Sequence, residues 1–354
     1  MAHVKIRLPR RFLSLRPQMN LSRATAARMW LVAACAALVV FQSSLTDSPA
    51  SLKIALYAVA AAVISEFLCG VRWRSLFAGS FRLDLGDGLL RVSDGSAVAS
   101  ALVLTLLLPN QLPPITAALG ACFAMVVVKF SFGGLGSNWL NPALGAWLFI
   151  RYSWPGAFES ALSVFPQNAA GEVPGQAALF SDFLERQLPA FLNTTVFSLT
   201  GAELPGSYPG LLFSTAPGII ADRGLLALLL GTILICAFQV GRLWIPALFL
   251  GVFIFLVRCF GGQAFGGGDM LLALFSGGTL AAAFLLSMDP ATGPKSEIGT
   301  VIVTLLSGVC AFIFRYLGLE LYGALFAVAL INSLVPLIRA LENRGFYEKQ
   351  RIAL

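Results

Sequence analysis

The chain has 354 residues, 58% of them hydrophobic and only 12% charged, and its mean hydropathy is +0.83. A soluble domain carries about 25% charged residues, so this chain lacks the polar surface that water requires and reads as a polytopic membrane protein. Those figures exclude a disulfide-stapled secreted domain, a nucleic-acid binder and a disordered chain, and the net charge of +7 must first be sorted by side of the membrane.

The single histidine, His3, removes histidine-bound haem and zinc. The six cysteines, at 35, 69, 122, 236, 259 and 310, stand singly in or beside apolar segments. That spacing argues against a four-cysteine iron–sulfur centre within the chain. Redox chemistry here would need an organic cofactor.

A basic tail, 1–24, opens the chain. Ten apolar segments follow, at 25–42, 52–70, 95–109, 115–132, 140–155, 224–240, 243–260, 270–288, 297–315 and 320–340. The expected fold is therefore all-α and integral to the membrane, with about ten transmembrane helices. The third and fifth segments are short and flanked by Gly or Pro, a mark of discontinuous helices that line a site. With the N-terminus in the cytoplasm, 18 of the 24 Lys and Arg residues fall on the cytoplasmic side. That bias predicts an even number of spans and both termini inside, with a tail at 341–354. A long connection, 156–222, falls on the outer side and holds Glu159, Glu172, Asp182, Glu185, Glu203 and Asp222. Its aromatic residues predict a small ordered subdomain rather than a bare linker.

The halves at 25–155 and 223–340 resemble each other. Ser96–Pro109 sits over Gly277–Pro290, and the same offset places Pro113 on Pro294. Span 3 then matches span 8, so the unit is five helices, and an odd unit predicts two copies of opposite orientation in the membrane.

Four groups of residues carry chemical content. Asp94, in Ser93-Asp-Gly-Ser-Ala97, is placed to cap span 3, and the first-turn amides could hold an anion. Gly133-Gly-Leu-Gly-Ser-Asn-Trp-Leu-Asn-Pro142 offers close backbone approach and the amides of Asn138 and Asn141, the features of a cofactor-lining loop. Asp289, in Met288-Asp-Pro-Ala-Thr-Gly-Pro294, leaves a carboxylate at a helix break, placed to serve a cation or to cap span 9. Glu66 and Lys129 are charges near span ends, each either a functional intramembrane charge or a side chain that snorkels; Glu66, Asp94 and Asp289 are the candidate ion-path residues.

Taken in order, Asp94-Gly-Ser-Ala97, Gly133-Gly-Leu-Gly-x-Asn-x-x-Asn-Pro142, Gly277-Gly278 with Met288-Asp-Pro-x-Thr-x-Pro294, and Asn332-x-Leu-Val-Pro336 resemble the membrane subunit shared by two respiratory complexes. These are the Rnf complex, as its D subunit, and the sodium-pumping NADH:quinone reductase, as its B subunit. The length fits the Rnf subunit better. The resemblance implies a subunit of an ion-translocating electron-transport complex in the bacterial inner membrane, with the other subunits and the lipid bilayer as partners. It also implies FMN bound through its phosphate to a threonine of the outer loop, and an associated non-covalent riboflavin. The family pattern there is roughly Asp-x-x-Ser-Gly-Ala-Thr. The nearest match is Val196-Phe-Ser-Leu-Thr200-Gly-Ala, which puts Thr200 at the acceptor with Ser198 beside it; Thr195 and Thr215 are the alternatives. The match departs from the pattern in the displaced Ser, in Leu199 and in the lack of an upstream Asp. The competing reading is a stand-alone transporter or channel for a small polar solute, which an inverted repeat supports equally well.

Overall fold

The computed structural model describes residues 23–46, 48–70, 92–134, 138–158, 218–238, 240–261, 265, 270–289, 291–318 and 320–352. The helices are α1 (Arg23–Thr46), α2 (Ala50–Gly70), α3 (Ser96–Leu106), α4 (Pro114–Phe123), α5 (Pro142–Ser153), α6 (Ile220–Arg223), α7 (Leu225–Ala237), α8 (Trp244–Phe260), α9 (Met270–Leu274), α10 (Thr279–Ala281), α11 (Glu297–Phe312) and α12 (Gly323–Ile352). Three of them continue as π-helix, α4 over Ala124–Phe130, α10 over Ala282–Leu286 and α11 over Ile313–Leu317. Among the described residues there is no strand, only an isolated bridge between Pro109 and Ile219.

Among the described residues, four helical stretches are long and apolar enough to cross a membrane, Ala26–Thr46, Ala50–Cys69, Glu297–Leu317 and Gly323–Glu342. Shorter apolar helices lie at Ser96–Leu106, Pro114–Phe130, Leu225–Ala237 and Trp244–Phe260. The outward residues are those of a lipid-facing surface, with Leu38, Phe41, Leu56, Leu230, Phe255 and Ile298 all half exposed or more. A soluble monomer seldom exposes large apolar side chains in such numbers.

Most boundaries fall within a few residues of the expected ones. The segment at 270–288 differs, because it is interrupted between Leu274 and Thr279. The last helix also differs, running on to Ile352 through the expected tail.

Packing follows the residues available. α1 lies against α3 and α7, α2 against α4 and α3, α8 against α11, and α11 against α12. Small residues make the close approaches, as where Ala58 and Ala62 of α2 are fully buried. Aromatic packing joins the first and second halves of the chain. The buried Trp147 of α5 meets Tyr322 edge-on at 6.2 Å and Phe326 at 5.0 Å. Arg151 adds an ion pair with Glu320 at 3.3 Å.

Candidate functional site

The start of α3 is built from Ser93 to Ser96. Gly95 takes a left-handed backbone, φ 74°, which turns the chain into the helix without steric cost. Asp94 Oδ1 accepts a hydrogen bond from the Ser96 amide at 2.7 Å, so an amide that sequence reasoning offers to an anion is already taken. Trp30 of α1 covers the turn, its indole N–H donating to the Ser93 carbonyl at 3.2 Å.

Lys129 reaches the same point from the π segment of α4. Its ammonium donates to Ser96 Oγ at 2.6 Å and pairs with the Glu66 carboxylate of α2. Both charged side chains are almost wholly buried, at 3% and 1% exposure, so of the two readings Lys129 does not snorkel to a surface. A cation at a helix N-terminus opposes the helix dipole, and Glu66 offsets that opposition. A π turn widens the helix locally and recurs at functional sites.

A second constellation joins distant parts of the chain. Asn141 caps α5, its Oδ1 accepting from the Ala143 amide at 3.0 Å, with Pro142 in the first turn where no amide is needed. Its Nδ2 donates to Asp289 Oδ2 at 2.9 Å. Asp289 Oδ1 accepts from the Ala291 amide at 3.0 Å. Asp289 does not cap α11, because Ser296 does, accepting from the Gly299 amide at 2.9 Å. Arg339 of α12 holds the intervening turn, donating to the carbonyls of Ala291 at 2.8 Å and Gly293 at 2.9 Å. Asn138, also buried, has no partner for its Oδ1 among the described residues.

The third constellation is the interruption at 275–278. A helix broken inside the bundle exposes carbonyls upstream and amides downstream. Arg315, in the π segment of α11, takes the carbonyls, donating to Ala273 at 3.1 Å and Ser276 at 2.9 Å, and also to Ser276 Oγ at 2.6 Å. Asp222 of α6 takes an amide, with Oδ1 at 2.9 Å and Oδ2 at 3.2 Å from Gly278 N. Burial pushes the Asp222 carboxyl up, to about 7, although the Gly278 amide and the Arg315 charge pull it down.

The structure thus brings Glu66 and Ser96 together around Lys129, with Asp94 on the Ser96 amide, and Asn141 together with Asp289. Thr200, Ser198, Thr195 and Thr215 lie outside the described residues. Sequence reasoning misses Arg315 and Asp222, counting one as an outer positive and the other as a loop acid. The available signal is an arginine inside an apolar run, Phe312-Ile-Phe-Arg315.

Comparison with known proteins matches this sequence to one family. A family model described as the NQR2, RnfD, RnfE family covers residues 12–347. The chain is 29% identical to the D subunit of the Na(+)-translocating ferredoxin:NAD(+) oxidoreductase complex of Acetobacterium woodii, over 74% of this chain and 76% of that protein. It is 31% identical to the D subunit of the ion-translocating oxidoreductase complex of Stutzerimonas stutzeri, over 72% of this chain and 76% of that protein. It is 27% identical to the protein of the same name in Vibrio cholerae, over 96% of this chain and 98% of that protein. With the family match running nearly end to end, the chain belongs to the NQR2, RnfD, RnfE family.

Proposed function

We propose that this chain is the flavin-bearing membrane subunit of an ion-translocating electron-transport complex of the ferredoxin:NAD(+) type. The observation that carries the reading is the family match over 12–347, in a chain with four described helices long and apolar enough to cross a membrane. In this reading the protein lies in the bacterial inner membrane with both termini cytoplasmic, and other subunits of the complex deliver and collect electrons. FMN is held covalently on Thr200 of the outer loop, and supplies one- or two-electron chemistry that no side chain of this chain provides.

The chain's own residues bind, orient and compensate charge. For a non-covalent flavin the fit favours Asn138. Its buried Oδ1 is an acceptor with no partner among the described residues, suited to an imide N–H. Asn141 and Asp94, the other cofactor-lining candidates, already spend their side chains on Ala143 and Asp289, and on Ser96. They shape the site and leave Asn138 to meet the ligand. Of the ion-path candidates, Glu66 is charge-matched by Lys129, and Asp289 lies where the two halves meet.

The ten-span arrangement of two inverted five-helix repeats is part of the same proposal. Three local likenesses support it. A left-handed glycine precedes both α3 and α10, Gly95 and Gly278, two residues out of the register that sets Ser96 over Gly277. A cation from a π segment reaches each of those starts, the buried Lys129 and the partly buried Arg315. The second long helix of each half packs on the fourth, α2 on α4 and α8 on α11.

The test is ferredoxin-dependent NAD(+) reduction and ion uptake in inverted membrane vesicles, with the chain present and deleted. Loss of both on deletion, restored by the gene in trans, supports the reading. A stand-alone transporter would instead leave electron transfer intact and move solute in vesicles holding this chain alone.

A further inference from the structure

We infer that Asn332 of α12 is a second polar contact for the ligand that Asn138 meets, so that one site is closed from both halves of the chain by two asparagine amides. The ligand that fits them presents an N–H beside a C=O, as the imide edge of a flavin does. The inference rests on the reading above, in which Asn138 faces a non-covalent flavin.

Asn332 opens the motif Asn332-x-Leu-Val-Pro336. Its Nδ2 is buried and has no partner among the described residues, as is true of Asn138 Oδ1. The two residues are only 6% and 3% exposed. The two unpaired atoms are of opposite kind, a donor on Asn332 and an acceptor on Asn138. Buried polar atoms in native proteins are paired with few exceptions, and each exception calls for a partner. The two amides do not bond each other. A group between them must therefore answer the donor with a carbonyl oxygen and the acceptor with an N–H.

Packing puts the two residues at one level. Arg151, near the end of α5, meets Glu320 just before α12, and Trp147 meets Tyr322 and Phe326. α5 and α12 thus run antiparallel across the seam between the halves. From Trp147 back to the cap at Asn141 is about 9 Å along α5. An equal step along α12 from beside Tyr322 and Phe326 reaches the turn that holds Asn332. Neighbouring residues settle which way that turn faces. Val328, Ile331 and Val335 are buried with Asn332. Arg339, about two turns on and on the same face, donates to the Ala291 and Gly293 carbonyls beside Asp289. Asp289 in turn accepts from Asn141 Nδ2. The face of α12 that carries Asn332 therefore looks onto the Asn141–Asp289 junction, next to Asn138 in the chain. Asn141 and Asp289 are already committed to each other and to the amides of Ala143 and Ala291.

The test titrates riboflavin into the assembled, detergent-solubilised complex after its non-covalent flavin has been dialysed out, and reads the quenching of the added flavin's fluorescence. Asn332→Leu should weaken binding tenfold or more. It should leave the thermal midpoint of the flavin-free complex unchanged or higher, because it removes a buried donor with nothing to bond there. Asn332→Gln, which keeps the donor, should recover part of the affinity. Riboflavin bound as tightly by Asn332→Leu as by the wild type, with Asn138→Leu still weakened, would overturn the contact and leave the flavin reading standing. A lower flavin-free midpoint in Asn332→Leu would also overturn it, since the amide would then serve the fold. If Asn332→Leu does not accumulate in the membrane, Asn332→Val decides by the same affinity. If the wild type takes no riboflavin, the flavin reading falls and this contact with it.

Discussion

Two oxygens meet the Lys129 amine inside the bundle, from Glu66 and Ser96. Removing one partner of a buried pair strands the other charge, at a cost of about 3–5 kcal/mol, whereas replacing both with apolar groups is often near neutral. Lys129→Met and Glu66→Gln are therefore expected each to lower the thermal midpoint of the detergent-solubilised protein. The double variant Lys129→Met/Glu66→Met should be more stable than Lys129→Met alone, and a double variant worse than both singles would contradict the pairing. A sequence shows each of these residues as a charge near a span end. Their separation of 63 positions hides that they touch, and so the snorkelling reading of Lys129 stays open there. Asn141 and Asp289, 148 positions apart, pose the same difficulty, although each stands out by its own loop chemistry.

Among the elements, the interruption between α9 and α10 decides most. Gly277 and Gly278 both have a left-handed backbone, φ 68° and 69°. A side chain in that region costs about 1–2 kcal/mol, and at Gly278 it would also press on Ile219. Gly278→Ala is expected to destabilise the protein by that amount or more, read as a lower thermal midpoint. Ile219→Ala in the same chain should return part of the loss by clearing the contact. Hydropathy marks the segment 270–288 as one span, since apolar composition carries through the break. The Gly-Gly pair hints at close packing, but the side chains that make a break tolerable, Arg315 and Asp222, come from remote sequence. The π segments are equally hidden, because an extra residue in a turn leaves no mark in an apolar run.

At the scale of the whole molecule, composition carries far. The low charge content and the ordering of apolar segments point to an all-helical membrane protein, and four of the described stretches are long and apolar enough to cross. Topology is read from 18 of 24 positive residues, and that assignment is open to direct measurement. A single cysteine placed near Arg10 or near Lys349 in a cysteine-free chain should react with a membrane-impermeant maleimide only after the cells are opened. One placed within 159–217 should react in cells whose outer barrier alone is permeabilised. Termini on opposite sides would contradict an even number of spans. The central claim is that the outer loop carries a flavin on Thr200, in a stretch that departs from the family pattern. The most direct measurement is ultraviolet fluorescence of the chain on a denaturing gel, expressed in a host with a working flavin transferase. The expected result is a fluorescent band that vanishes in Thr200→Ala and persists in Thr195→Ala and Thr215→Ala. A dark wild-type band, or one that survives Thr200→Ala, would contradict the claim.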